Sequence, residues 1–461
     1  MAPPVLSLEI PIDQYTYLRR LLLDAFAHLH AAESEEKSRI QSQILSHLNE
    51  RSIIEEKCLL LHALFSASES LLGLSADESA SAAALFQDSL FSWGEVFYPK
   101  QSCELVALWM ISAMNGAERD SRVDMLSRDI LNTLDSHGEP IFSLFCQHDR
   151  GDLNECRAAY FLFFSAMASQ ASSREREMYL FLAEQQKKQL DDHSNGSFFI
   201  EYAKRVAYDC FQLTDPSGSC EDLRSLLPSN INDHKNKIVA QRDSGRTQYF
   251  IGSGCKSGMG FFQVGQCGIV NYGPQLDSIG DPSYFGICGS PTQNRFFRTY
   301  LEVSGRSMSL DSHNLISSKG GGRSLSEYEE SGFSGLWINS KQRADEKGWS
   351  ISCHCEGLAS PVLYFVFFIK GKNCLINRVQ KLRPQSLDRY KGPAAEIECR
   401  EGSYGFLLQT IQGAKTMEIV PLAGGNSFWG ADFLVAYRFH LPLEAPYFSV
   451  AHQWKVQPLS N

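Results

Sequence analysis

The stretch "IGSGCKSGMGFFQVGQCGIVNYGPQ" (residues 251–275) packs seven glycines, two cysteines and a lysine between apolar residues. Its reading decides the fold of the second half of the chain. A phosphate-cradling loop needs GxxxxGK[ST] between a strand and a helix, so that backbone N–H groups and the helix N-terminus face the anion. In "GSGCKSGMG" (252–260) the lysine sits in the middle and no GK[ST] closes the run. The adjoining "FFQVGQCGIVNYGPQ" (261–275) alternates apolar and polar residues as a strand does, and it contains no helix pattern. A dinucleotide fingerprint fails for the same reason. The stretch therefore predicts strands joined by tight turns, with glycines where φ is positive or backbones approach closely.

The strand pattern extends to the C-terminus. "FFRTYLEVSG" (296–305) puts Phe297, Thr299, Leu301 and Val303 on one face, and "GWSISCHCEG" (348–357) does the same for Trp349, Ile351, Cys353 and Cys355. "PVLYFVFFIKGKNCLINRV" (361–379) predicts a hairpin turning at "KGKN". "AAEIECR" (394–400), "SYGFLLQTIQGAKTMEIVPL" (403–422), "ADFLVAYRFHL" (431–441) and "YFSVAHQW" (447–454) add further alternating segments. Many short strands without intervening helices predict an antiparallel sandwich or barrel-like domain.

The first half has a different period. "DQYTYLRRLLLDAFAHLHAA" (13–32) places Tyr17, Leu21, Leu22, Ala25, Phe26 and Leu29 on one helical stripe. Similar patterns run through 34–50, 52–74, 78–97, 100–117, 121–137, 152–169, 173–192 and 197–211. The 157–168 segment is apolar on more than one face, so it is expected inside the array. Between the halves, "LTDPSGSCEDLRSLLPSNINDHKNK" (213–237) accumulates Pro, Ser, Gly, Asn and Asp and reads as a linker.

Bulk composition narrows the function classes. The chain has 461 residues, 43% hydrophobic and 21% charged, enough for two or three domains with sizeable cores. Its net charge of −10 is uneven: residues 1–239 carry 35 acids and 21 bases, or −14, and residues 240–461 carry 18 acids and 22 bases, or +4. An acidic half disfavours nucleic acid, whose phosphates need clustered Lys and Arg. The positive excess suits an anionic ligand or docking onto the acidic half. The longest apolar run, "VLYFVFFI" (362–369), is too short for a membrane span. The N-terminal residues lack a basic-then-apolar signal pattern, and thirteen cysteines is an odd number. Together these lead to the expectation of a soluble protein, cytoplasmic by default, with free thiols; export without a cleaved signal stays open. Oligomeric state leaves no signature.

Metal and nucleophile motifs are missing. Cys255, Cys267, Cys288, Cys353, His354 and Cys355 contain no CxxC or HxxxH unit, so no zinc is expected. In "CHC" the two cysteines share a face with Trp349 and Ile351, and His354 points the other way. No GxSxG elbow occurs. No cofactor motif is present, and no cofactor is expected.

Two polar segments are the candidate binding surface. "VNYGPQLDSIGDPSYFGICGSPTQNRFFR" (270–298) offers Asn271, Tyr272, Gln275, Tyr284, Asn294 and Arg295, and "SHNLISSKGGGRSLSEYEESGFSG" (312–335) offers His313 and Tyr328. Both read as connections at the ends of sandwich strands. Amides beside aromatics in such loops suit sugars or peptides.

A helical first half followed by a large antiparallel β half resembles, in domain order, the polysaccharide lyases of the heparinase II/III type. The resemblance implies an incomplete α/α toroid and a β-sandwich with the substrate cleft between them. It also implies removal of a proton beside a uronate carboxylate by Tyr and His, with Asn, Gln or Arg neutralising the carboxylate. In the helical half "RDILNTLDSHGEP" (128–140) offers Asn132 and His137, and no residue is carried over as catalytic.

The expected fold class is therefore α+β with two domains: an all-α helical array or incomplete toroid over 1–212, a linker over 213–244 and an antiparallel β-sandwich over 245–461. The leading expectation is a protein that binds a glycan or protein partner through sandwich loops. The alternatives are a lyase-like enzyme acting on an acidic glycan, and a structural or effector-like protein with a partner groove on its helices.

Overall fold

In the computed structural model the described residues are 127–141, 143, 153–193, 200, 203–204, 207–208 and, apart from 277–292, 318–334, 439–446 and shorter gaps, 226–460. They correct the expected fold class. Among them the chain is mainly antiparallel β: eighteen strands stand against two α-helices and a short 3-10 turn at Phe428–Gly430. A helical array is not shown, because most of residues 1–212 lie outside the described ones. The stripes expected between 13 and 117 lie outside the described residues.

The chain divides into two compact units, one of residues 1–131 and 154–223, the other of 132–153 and 224–461. In the first, α1 (Leu153–Gln170) and α2 (Ser173–His193) follow one another across a two-residue break. As its composition predicts, α1 is buried on every side: Tyr160, Phe161, Phe163, Phe164 and Met167 have no exposed surface. Phe164 contacts Tyr160, Phe163 and, from α2, Tyr179.

The second unit holds two nine-stranded antiparallel sheets. Its strands are β1 (Asn230–Asp233), β2 (Ile238–Asp243), β3 (Arg246–Ile251), β4 (Gly260–Val264), β5 (Cys267–Leu276), β6 (Gln293–Ser304), β7 (Ser307–Ser317), β8 (Gly335–Asp345), β9 (Gly348–Leu358), β10 (Leu363–Lys370), β11 (Asn373–Ile376), β12 (Gln380–Leu382), β13 (Tyr390–Pro393), β14 (Ile397–Glu401), β15 (Tyr404–Gln412), β16 (Thr416–Pro421), β17 (Phe433–Arg438) and β18 (Tyr447–Ser460). The first sheet runs β1-β2-β3-β4-β5-β10-β17-β16-β13, the second β12-β11-β14-β15-β18-β9-β8-β7-β6. β1 and β2 fall within the stretch read as linker.

The described part of the glycine-rich stretch, residues 251 and 259–275, folds as its pattern predicts, and 252–258 lie outside the described residues. β4 and β5 pair with Val264 opposite Cys267, and the two-residue turn between them puts Gly265 at φ +56°. The ring of Tyr404 lies where a side chain on Gly265 would go.

Aromatic side chains fill the space between the sheets. Tyr272 of the first sheet meets Trp349 of the second with ring centroids 4.9 Å apart, and Phe365 stacks on Trp454 at 4.2 Å. Phe262 reaches both Trp349 and Phe406. Inside this layer the Tyr272 hydroxyl sits between the Met259 carbonyl and the Gln342 side-chain oxygen, so the buried phenol is satisfied.

One sequence expectation fails. The strands on either side of "KGKN" form, but they do not pair. β10 pairs with β5 and β17, and β11 with β12 and β14. The chain crosses from one sheet to the other at Gly371, whose N–H donates to the Asp432 carboxylate at 2.7 Å. A Cβ there would collide with the sulfur of Cys399. β15 and β16 likewise belong to different sheets. Alternation marks a strand, but pairing is decided by partners far along the chain.

The helix expected over 121–137 stops at Leu131 among the described residues. Asp135 then closes a turn, its Oδ1 accepting from the backbone N–H of His137 (2.7 Å) and Glu139 (2.9 Å). Gly138 takes φ +83°, and Leu134 bridges Pro140. The Tyr249 hydroxyl reaches the carbonyls of Asn132 and Leu134 and receives the guanidinium of buried Arg242, so this turn is held to β3.

Candidate functional site

The four strands β7, β8, β9 and β18 lie side by side in the second sheet, and their register sets out two faces. Ala344, Trp349 and Val456 align on the inner face; the next positions align Ser309, Arg343, Ser350 and Lys455 on the outer one. Adjacent strands are about 4.8 Å apart, so Arg343 and Lys455, two strands apart with Ser350 between them, are roughly 10 Å apart at the backbone.

At the end of this row opens a shallow pocket of about 490 Å³. Arg343, Lys347, Lys455 and Asp345 supply its charges, and Ser307, Ser309 and Ser350 its hydroxyls. Met308, Ala344, Gly348 and Trp349 complete the lining.

The β8–β9 turn is built to present this edge. Asp345 Oδ1 accepts from Lys347 N–H at 2.8 Å and Gly348 N–H at 3.1 Å, which commits one carboxylate oxygen to the turn. Gly348 is obligatory: at φ +146° a Cβ would run into the carbonyl of Val456 on β18. Arg246 of the first sheet braces the turn from behind. Its Nη2 donates to the Asp345 carbonyl and to Gln248 Oε1, both at 2.9 Å, and its guanidinium lies 5.7 Å from the Phe262 ring centre. Burial pulls the Arg246 pKa down, while Asp243 and Asp345 pull it up; an arginine stays charged through such a shift. Among the described residues the pocket sets three cations against one carboxylate, which favours an anion, and the serines add donors and acceptors beside it.

The sequence-derived candidates are spread more widely. Asn271 and Tyr272 lie in β5, not in a connection, and both are fully buried. Asn271 Oδ1 accepts from Tyr272 N–H, and Asn271 Nδ2 is buried with no partner. Burial drives the Tyr272 phenol well above its ordinary pKa, against the lowering effect of the Gln342 hydrogen bond. Gln275 also lies in β5, opposite Tyr364. Asn294 and Arg295 lie in β6, opposite Ile316 and Leu315. His313 lies in β7, at the register position of Asn339 on β8, which in turn faces His354 on β9. Tyr284 and Tyr328 lie outside the described residues. As the alternation predicts, Cys353 is buried and His354 half-exposed on the opposite face. Asn132 and His137 fall in the turn held by Tyr249, with Asn132 engaged through its carbonyl.

Sequence reasoning misses the pocket residues because they lie in separate, weakly marked strands. The one signal is the outward alternation of Ser350 in "GWSISC", where the apolar inward positions make the stronger pattern.

Buried thiols form a second cluster, at the sheet-crossing corner. Cys374 faces Cys399 across β11 and β14, and the Cys399 sulfur is hydrogen-bonded with Cys267 of the other sheet. Burial pushes the Cys374 thiol up to about 12; the Cys399 thiol is held well above its ordinary range by its hydrogen bond with Cys267 and by burial. Such thiols are inert at neutral pH. Among the described residues no group of three or more His, Cys, Asp or Glu is placed to hold a metal.

No family model matches the chain, and no curated protein matches it. Among solved structures, a provisionally assigned aldose 1-epimerase from Escherichia coli K12 aligns at 8% identity, covering 49% of this chain and 99% of its own, with a TM-score of 0.29. The 4-alpha-glucanotransferase of Thermococcus litoralis aligns at 9% identity over 66% of this chain and 50% of its own, with a TM-score of 0.33. A point mutant of the chondroitin AC lyase of Streptomyces coelicolor A3 aligns at 10% identity over 99% of this chain and 77% of its own, with a TM-score of 0.28. Likenesses of this size say nothing of what this chain binds. Among the described residues no helix is long and apolar enough to cross a membrane.

Proposed function

We propose that the β unit is a binding module for an acidic glycan, held at the strand-end pocket of the second sheet. The observation that carries this reading is the cross-strand row Ser309–Arg343–Ser350–Lys455, two cations separated by a hydroxyl on consecutive strands. A linear chain with anionic groups spaced along it matches such a row; a single small anion would use only one end of it. The pocket is shallow and open, which suits a polymer segment rather than an enclosed metabolite. Among the described residues its lining contains no His, Tyr or Cys, so it presents none of the proton-abstracting groups that the lyase resemblance implies. Binding is the activity these groups support.

The test is calorimetric titration of the full chain with oligosaccharides bearing uronate or sulfate groups, against neutral oligosaccharides of the same length. Acidic chains are expected to bind, with affinity falling as salt rises, because exposed charges are screened. The double variant Arg343→Ala, Lys455→Ala is expected to bind about a hundredfold more weakly or worse, since each lost charge-assisted contact costs roughly 1.5–3 kcal/mol. Equal binding of neutral chains, or an unchanged affinity in the double variant, would sink the proposal.

A further inference from the structure

Among the described residues the two most exposed large apolar side chains of the β unit lie outside the pocket lining, in one short segment. Residues 377–391 run from the end of β11 through β12, the edge strand of the second sheet, to the start of β13, the edge strand of the first. Val379 is 85% and Leu387 98% exposed. Around them Arg378, Lys381, Arg383, Arg389 and Lys391 are all exposed, against the single acid Asp388. Arg378 is paired with Glu396 at 3.0 Å and with Glu398 at 3.5 Å. The other four cations make no ion pair among the described residues.

The segment is held in shape from within. Asn377 and Glu396 exchange two hydrogen bonds, backbone to backbone (2.9 Å) and Glu396 N–H to Asn377 Oδ1 (3.1 Å). The Val379 N–H donates to the Ile376 carbonyl at 3.0 Å, and the Ser386 N–H to the Arg383 carbonyl at 3.0 Å. Asn377 and Arg378 take φ +48° and +60°, a conformation that costs a non-glycine residue energy and persists where surroundings impose it. Here the Glu396 contacts impose it, and Val379 is left projecting at the turn.

Lysines and prolines on edge strands guard a sheet against pairing with another chain, which accounts for part of the charge. It does not account for Val379 and Leu387, because a guarded edge gains nothing from bare apolar side chains. A protein partner would need a shaped pocket for each of them. A bilayer interface needs none: it takes isolated apolar side chains into the headgroup–acyl boundary while the surrounding cations meet lipid phosphates and carboxylates.

We propose that segment 377–391 docks the protein onto an anionic lipid surface, with Val379 and Leu387 entering the interface and Lys381, Arg383, Arg389 and Lys391 meeting the headgroups. The experiment is flotation of the full chain with vesicles of phosphatidylcholine, with and without phosphatidylserine. Binding is expected only with phosphatidylserine, and is expected to fall as salt rises. Each surface cation contributes about a fivefold change in partition, so Lys381→Gln with Arg383→Gln should weaken binding roughly twenty-five-fold. Val379→Ser with Leu387→Ser should weaken it by about tenfold or more, with unchanged circular dichroism, since both side chains are exposed. Absence of phosphatidylserine-dependent binding overturns the proposal. So does binding that survives Val379→Ser with Leu387→Ser at full strength and is displaced by dextran sulfate, which would mark a charge-only surface for a soluble polyanion.

Discussion

The two faces of the second sheet are made by the same strands and obey different rules. In β9, Trp349, Ile351 and Cys353 point inward and are buried, while Ser350, Ser352 and His354 alternate outward. The inner face meets the first sheet through aromatic rings; the outer face carries serines, amides and cations in register. Cohesion lives on one side of a strand and recognition on the other, with one residue of rise between them. Substitutions on the two faces should therefore separate stability from binding cleanly.

The largest effect should come from Trp454. It stacks on Phe365 at 4.2 Å, contacts Phe367 and Tyr437, and has no exposed surface. Trp454→Ala should cost about 3–5 kcal/mol, because a large buried side chain is lost and the sheets can close only partly over the cavity. Urea unfolding followed by far-ultraviolet circular dichroism measures it, with the transition of the β unit moving to lower denaturant. A loss below about 1 kcal/mol would mean that the two sheets are not joined through this seam.

The next effect lies at the sheet-crossing corner. Gly371→Ala places a methyl group against the Cys399 sulfur and should cost about 1–3 kcal/mol through overpacking. Gly371→Ala in a Cys399→Ala background should cost less, since the colliding sulfur is gone. If the two costs add without interaction, the collision is not what makes glycine necessary there.

This corner also shows how much of the fold is legible in sequence. The strands are visible because alternation is local: β4, β5, β9 and β14 fall where their patterns put them. The sheet assignment is not, because "KGKN" and "QGAK" look like hairpin turns whether or not the chain changes sheet there. What decides is contact between Gly371, Cys399 and Asp432, residues up to 61 positions apart. The expected helical array is not shown for another reason: most of residues 1–212 lie outside the described ones, and among the described residues only α1 and α2 stand as full helices. As for the site, polar residues in apparent loops draw attention to Asn271 and Tyr272, which are core residues, while the pocket is assembled from single outward positions on four strands. No single segment announces such a row; only register brings it together.

A smaller effect should appear as a dependence on pH. The Cys374 thiol titrates near 9 when unfolded and near 12 in place, so between those values the unfolded chain releases a proton that the folded chain keeps. Stability conferred by this group is whole below pH 9 and declines toward pH 12, by about 1.4 kcal/mol per unit of pH. Many other groups titrate in that range, so the measurement is the difference between the native chain and Cys374→Ala. The variant should start less stable through its lost packing and fall less steeply above pH 9. Parallel curves would mean that Cys374 is open to solvent. Peptide-level alkylation at pH 8 gives a second reading: Cys374 and Cys399 should stay unmodified until denaturant is added.

The smallest effect on stability should come from the outer face, and there it carries the most information. Arg343 is exposed, and its Nη1 donates to the neighbouring Gln342 carbonyl at 2.9 Å. Arg343→Gln should therefore change unfolding free energy by no more than about 0.5 kcal/mol. The same substitution removes one of the three cations of the pocket, so affinity for an acidic oligosaccharide should fall about tenfold. Stability and affinity moving apart at Arg343 and together at Trp454 is what the division of faces requires. If Arg343→Gln destabilised the protein by as much as Gly371→Ala, the outer row would be part of the framework, and its alignment would be explained by cross-strand packing without any ligand.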